Sequence, residues 1–179
     1  MAEFRLENTP NPNTIKINVD QMIYAGTIEY LKNRKTNSEF AQEIFKIDGV
    51  EGVFILKDFL TVTKAEDASF NDITPKVLDM VNLFIEKQKS FGEIKNVVSD
   101  EKELGEVEQK IVDILNKYVR PAVAQDGGDI TYNDFRDGTV YLQMKGSCSG
   151  CPSSTMTLKN GIERMLQNYV PEVQSVEAV

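Results

Sequence analysis

The chain has 179 residues and a formal net charge of −8, and it contains no histidine. The missing imidazole excludes Ser–His and Cys–His nucleophilic catalysis as well as histidine metal ligands. The acidic balance argues against a nucleic-acid partner, and no apolar run approaches the roughly 20 residues of a membrane span, so we expect neither kind of partner. With 41% hydrophobic residues, the chain is suited to one large or two small folded domains.

Strand patterns open the first half of the chain. A short strand is predicted over 4–7, apolar residues alternate with polar ones over 15–19, and another strand is predicted over 27–31. The two prolines between 9 and 13 predict a turn, because each proline biases the residue before it away from the helical region. The alternation over 15–19 predicts a half-buried strand.

Helical patterns surround a hairpin later in the same half. Asn37 or Ser38 is a suitable cap for the first predicted helix, and two β-rich runs within 53–63 predict a tight antiparallel hairpin. A second helix is predicted to begin with Thr74 as its cap and Pro75 at its first position. This half is therefore predicted to be a small α+β domain over 1–92.

The residues at 93–103 are mostly polar, and they include a run of acidic side chains. Such a composition is typical of a solvated linker. We therefore predict a linker over 93–103 and a second domain over 104–179.

The second half predicts the order α–β–β–loop–α–β. Apolar residues recur at helical spacing from Leu104 onward, and Pro121 is predicted to limit this helix. Asp126 and Asp129 flank two glycines, which favours a turn over a hard-metal site. Asp137-Gly138 predicts a hairpin. A helix and a short final strand then complete an α+β fold built from two small α/β domains.

Both cysteines of the chain, Cys148 and Cys151, lie in one loop directly before Pro152. Proline suits the first position of a helix, so the two sulfurs are predicted to lie near a helix N-terminus. The positive end of the helix dipole favours thiolate over thiol. We therefore expect two reactive thiolates, and they are the candidate ligands.

Four interpretations of this pair stay open on spacing alone. Two chains can each donate Cys148 and Cys151 to one 4Fe–4S cluster, because one chain has half of the thiolates that such a cluster needs. The pair can instead cycle between dithiol and disulfide, or bind zinc between two chains as a structural link. The fourth interpretation is a pair of inert thiols.

The sequence resembles the Nfu family, whose C-terminal domain is the NifU-like iron–sulfur domain. The resemblance covers nearly the whole chain, and the block around the cysteines is long enough to be specific. The segments that carry it are 9–13, 45–50, 53–54, 58–59, 61–64, 120–121, 126–129, 145–154 and 157–163.

This resemblance implies a carrier rather than an enzyme. It implies that a 4Fe–4S cluster is held between two protomers, with Cys148 and Cys151 as ligands in each, and that the homodimer forms on cluster binding. It also implies an upstream cluster donor, apo-protein recipients, and an Nfu N-terminal domain with an accessory role in recognition. The N-terminus lacks a signal-peptide pattern, so we expect the cytoplasm, or the mitochondrial matrix if a presequence has been removed.

Overall fold

The computed structural model describes residues 2–92, 104–149 and 152–179, apart from the side chains of 152–154. The chain divides into two compact units, Met1–Asn96 and Val97–Val179, and each combines helices with a sheet. The predicted α+β fold class is therefore confirmed. The predicted linker over 93–103 lies outside the described residues, so the domain bounds 1–92 and 104–179 stay predictions.

The first unit is an antiparallel sheet with two helices. Its strands are ordered β1-β2-β5-β4-β3 in the sheet. The strands are β1 (Phe4–Asn8), β2 (Thr14–Val19), β3 (Tyr24–Leu31), β4 (Val50–Lys57) and β5 (Phe59–Lys64), and the helices are α1 (Glu39–Ile44) and α2 (Phe70–Glu86). All the strand segments predicted in this half fall within these five strands.

The two helices of the first unit begin at serine caps. The Ser38 hydroxyl accepts a hydrogen bond from the N–H of Ala41 at 3.3 Å, which confirms one of the two predicted caps. The prediction for α2 was wrong, because this helix begins with Ser69 as its cap and Pro75 lies inside it. A proline so near the N-terminus forgoes one intrahelical hydrogen bond, and the buried apolar stripe of α2 compensates for that loss.

The second unit follows the predicted order α–β–β–α–β. Its sheet is ordered β6-β7-β8, with β6 antiparallel and β8 parallel to β7. The elements are α3 (Glu106–Ile114), a π-helical turn (Leu115–Val119), α4 (Arg120–Gln125), β6 (Gly128–Arg136), β7 (Thr139–Gly146), α5 (Pro152–Tyr169) and β8 (Ser175–Ala178). Among the described residues, no helix is long and apolar enough to cross a membrane.

Two proline and glycine predictions have different outcomes here. Pro121 does not limit the first helix, because the chain stays helical through the π-helical turn and Pro121 falls in the first turn of α4. The π-helical turn accommodates the missing N–H of Pro121. The predicted hairpin is confirmed, since Asp137 and Gly138 have φ values of 50° and 78°, as a type I′ turn requires.

Candidate functional site

The cysteine loop joins β7 to α5. It begins after Gly146, whose φ of 66° lies in the left-handed region, and α5 begins at Pro152 as predicted. Both the N–H and the hydroxyl of Ser149 donate hydrogen bonds to the carbonyl of Gly146, at 3.1 and 2.9 Å. The Cys148 side chain turns inward and is only 6% exposed. The other predicted ligand, Cys151, lies outside the described residues.

The Cys148 sulfur lies directly against the backbone of Gly128. A Cβ added at Gly128 would lie 2.5 Å from the Cys148 Sγ and 2.8 Å from the carbonyl oxygen of Lys145. Gly128 therefore provides space, whereas its neighbour Gly127 provides a left-handed backbone with φ 82°. Sequence reasoning found the turn but missed its contact with the sulfur, which depends on how β6 pairs with β7.

Hydrogen bonds fasten the loop on both sides of Cys148. The Ser147 N–H donates to the Gly127 carbonyl at 3.2 Å, and the Ser147 hydroxyl donates to the Asp126 carbonyl at 2.5 Å. On the other side, the Thr155 hydroxyl, in α5, donates to the Cys148 carbonyl at 3.1 Å. The backbone at Cys148 is thus held by the turn before β6 and by the first turns of α5.

The electrostatic setting of Cys148 differs from the predicted one. Burial raises the pKa of this thiol to about 11, a hydrogen bond with Ser147 lowers it, and the negative charges of Asp126 and Asp129 raise it further. The expectation of a thiolate was therefore wrong for Cys148 in the free protein, because burial disfavours the charged form of the thiol. For Cys151 that expectation stays a prediction.

An ion pair with a buried carboxylate lies beside the same turn. The Arg120 Nε and Nη2 atoms donate to the two carboxylate oxygens of Asp129 at 2.8 and 2.9 Å. Asp129 is 1% exposed, and it also accepts a hydrogen bond from its neighbour Ile130. Arg120 Nη1 donates to Asn116, in the π-helical turn. Asp129 is therefore engaged by a guanidinium, and the described residues contain no group of three or more side chains suited to a metal ion.

These features define a class of protein. Proteins of this class have a small α+β unit in which a Cys-x-x-Cys loop leads into a helix. In this chain, one of the two sulfurs packs against the backbone of a glycine turn. Comparison with family models assigns residues 111–177 to the NifU-like domain and residues 4–88 to the N-terminal domain of the scaffold protein Nfu/NifU.

Relatives match along almost the whole chain. The chain is 38% identical to the human "NFU1 iron-sulfur cluster scaffold homolog, mitochondrial" over 97% of its own length and 70% of that protein's. It is 36% identical to the protein of the same name from Drosophila erecta, over 97% of its own length and 63% of that relative's. The chain therefore belongs to the Nfu family of scaffold proteins.

A solved structure overlaps with part of the chain. The NMR structure of a NifU-like protein from Saccharomyces cerevisiae is 27% identical to it, with a TM-score of 0.48. The overlap covers 53% of this chain and 87% of that one.

Proposed function

We propose that this protein is an iron–sulfur cluster carrier. Two copies of the chain hold one 4Fe–4S cluster through Cys148 and Cys151 of each, and they pass it to apo-proteins. The protein is not an enzyme in this proposal, because the cluster is a cargo that is received and released. The names of the relatives, which describe iron–sulfur cluster scaffolds, support this reading.

The observation that carries the proposal is the seating of Cys148 in a fastened loop. A single chain has two cysteines and no histidine, whereas a 4Fe–4S cluster takes four thiolates. A two-fold axis between two copies supplies the missing pair.

Release follows from the same arrangement. A cluster held by two thiolates from each chain leaves those chains when thiolates of a recipient replace Cys148 or Cys151 at the iron. The positive end of the α5 dipole favours the negative charge of the cluster. Such a site suits delivery between an upstream donor and apo-protein recipients.

The second candidate from the sequence, a thiol–disulfide oxidoreductase, has less support. Reactive thiols in such enzymes are partly exposed and have lowered pKa values. Cys148 is buried, and its pKa is raised. The burial therefore favours a ligand that becomes a thiolate on binding metal over a thiol that attacks disulfides.

Anaerobic reconstitution with iron and sulfide tests the proposal. We expect about four irons and four acid-labile sulfides per two chains, the count of a 4Fe–4S cluster. Light scattering should show a monomer before loading and a dimer after it. Cys148→Ser and Cys151→Ser should each lose the bound iron, whereas Leu83→Ala, at an exposed position in α2, should retain it. An apo-dimer unchanged by loading, or full loading of either cysteine variant, would contradict the shared site.

The compartment stays a prediction. The cytoplasm is the expectation from the sequence, and the mitochondrial matrix is its alternative. The relatives described above are named as mitochondrial proteins. Fractionation of cells that express the protein, followed by immunodetection, distinguishes the two compartments.

A further inference from the structure

The Arg120–Asp129 pair differs from a typical surface ion pair in its geometry and in the burial of its carboxylate. Both carboxylate oxygens are engaged by one guanidinium in a forked arrangement, and Asp129 is almost completely buried. A buried carboxylate carries a large desolvation cost unless it is paired with good geometry. Arg120 also donates a hydrogen bond to Asn116 at 3.0 Å, and this bond orients the guanidinium from the side of the π-helical turn.

The position of this pair connects it to the cysteine loop. Asp129 follows Gly128, on which the Cys148 sulfur rests. In the ladder of β6 and β7, Asp129 lies opposite Lys145 and Gly128 lies opposite Gly146. The pair therefore joins α4 to β6 one residue from the sulfur's seat.

The pair also places a negative charge, that of Asp129, near the Cys148 sulfur. The Asp129 carboxylate is close enough to act on the Cys148 thiol electrostatically. A ligand set of thiolates is itself negative, so an uncompensated carboxylate at this place would oppose it. The guanidinium of Arg120 holds that carboxylate through both of its oxygens.

We propose that Arg120 and Asp129 are positioning residues for Cys148. By fastening the start of β6 to α4, they hold the Gly127-Gly128 turn in the place where the Cys148 sulfur is seated. The consequence for binding rests on the proposed function. The consequence for the geometry of Cys148 does not, and it can be measured in the protein without any cluster.

The first measurement follows the exposure of Cys148 directly. In full-length Cys151→Ser protein, Cys148 is the remaining thiol, and its alkylation by iodoacetamide reports how often the loop opens. Arg120→Gln leaves the buried Asp129 carboxylate without its guanidinium, and Asp129→Asn removes the charge that anchors Arg120, so we expect both variants to speed this alkylation about tenfold. Arg120→Lys keeps the charge but loses the fork, and it should also be faster than the parent.

A matched control lies at the other end of the same strand. Arg136 donates to Asp134 at 2.8 Å in a more exposed pair near the hairpin turn. Asp134→Asn and Arg136→Gln should leave the alkylation rate unchanged. Urea titration of every variant shows whether a change in rate exceeds what global unfolding explains. Equal rates in the two sets of variants, or rates that follow global stability alone, would overturn the proposal.

The second measurement uses protein with both cysteines. After reconstitution, transfer of iron to a ferrous chelator should be about tenfold faster in Asp129→Asn than in Asp134→Asn, since a loop that opens more often exposes its ligands more often. Equal chelation rates would contradict the role in binding. If the parent protein itself binds no iron and sulfide, the proposed function fails, while the alkylation measurement still decides the positioning role.

Discussion

The two units use their interiors differently. In the first unit, the rings of Phe40, Phe84 and Phe91 pack together with centroids 4.7 to 5.8 Å apart, inside an apolar core. The first unit also buries polar side chains, but the buried thiol and carboxylate of the candidate site, Cys148 and Asp129, lie in the second unit. Apolar packing is nondirectional, whereas a buried sulfur and a buried carboxylate need neighbours in fixed places. We therefore expect the second unit to be sensitive to smaller structural changes near its site than the first unit is in its core.

The largest expected effect tests the apolar half of this comparison. Phe40→Ala removes a ring that is fully buried and contacts the other two rings. We expect the free energy of unfolding of the first unit to fall by about 4 kcal/mol, because the cavity adds to the lost burial. Urea unfolding followed by far-UV circular dichroism measures it. Leu83→Ala, at a side chain 40% exposed in α2, is the control and should change little.

The same variant tests whether the packing of the first unit affects the cysteine loop of the second. If the packing of the first unit does not set the geometry of the cysteine loop, Phe40→Ala should leave the alkylation rate of Cys148 unchanged in conditions where the first unit stays folded. A change of several-fold would mean that the comparison between the units is wrong.

Gly128→Ala is expected to have the next largest effect, on the second unit. The added methyl would lie 2.5 Å from Cys148 Sγ and 2.8 Å from a backbone oxygen, so the loop or the strand must shift. We expect a loss of about 2 to 3 kcal/mol in the stability of this unit, together with weaker iron binding. Urea titration and the iron content after reconstitution measure the two effects. An alanine variant that loads iron as the parent does would show that the seat is not required.

Much of this fold could be predicted because short patterns determine it locally. Alternation at 15–19 predicts β2, and Asp137-Gly138 predicts the turn between β6 and β7 through its positive φ values. The cap at Ser38 was predicted for the same reason, since its hydroxyl bonds to a backbone group three residues later. In each case the deciding contact lies within a few residues.

The failures concern contacts that local patterns do not report. Pro75 and Pro121 are tolerated inside helical stretches because packing and the π-helical turn compensate for them. The seat of Cys148 on Gly128 joins residues 20 positions apart, and it follows from the register of two strands. The same burial made the expectation of a Cys148 thiolate wrong. Spacing identifies a candidate ligand, but its surroundings come from the tertiary fold.

The buried thiol predicts that the free energy of unfolding falls by about 2 kcal/mol between pH 8 and pH 11. In the folded apo-protein the pKa of Cys148 is raised from 9.0 to about 11, so the folded state holds this proton more tightly than the unfolded state does. The resulting stability is fully present below pH 9 and is lost as the pH rises toward 11. Urea titrations of reduced protein at pH 8 and pH 11 should show this fall, and Cys148→Ala should lack it. Equal pH dependence in both proteins would contradict the burial of the thiol.

The smallest expected effect has the opposite sign and contrasts two glycines of the same unit. Gly161 lies within α5, and a Cβ added there meets no atom within 4 Å, unlike one at Gly128. Alanine has the higher helix propensity, so Gly161→Ala should stabilise the second unit by about 0.5 to 1 kcal/mol and leave the alkylation of Cys148 unchanged. Thermal unfolding of the apo-protein measures the gain. If the variant is stabilised as apo-protein but fails to dimerise on loading, the second copy must approach α5 closely at Gly161, where the free chain leaves open space.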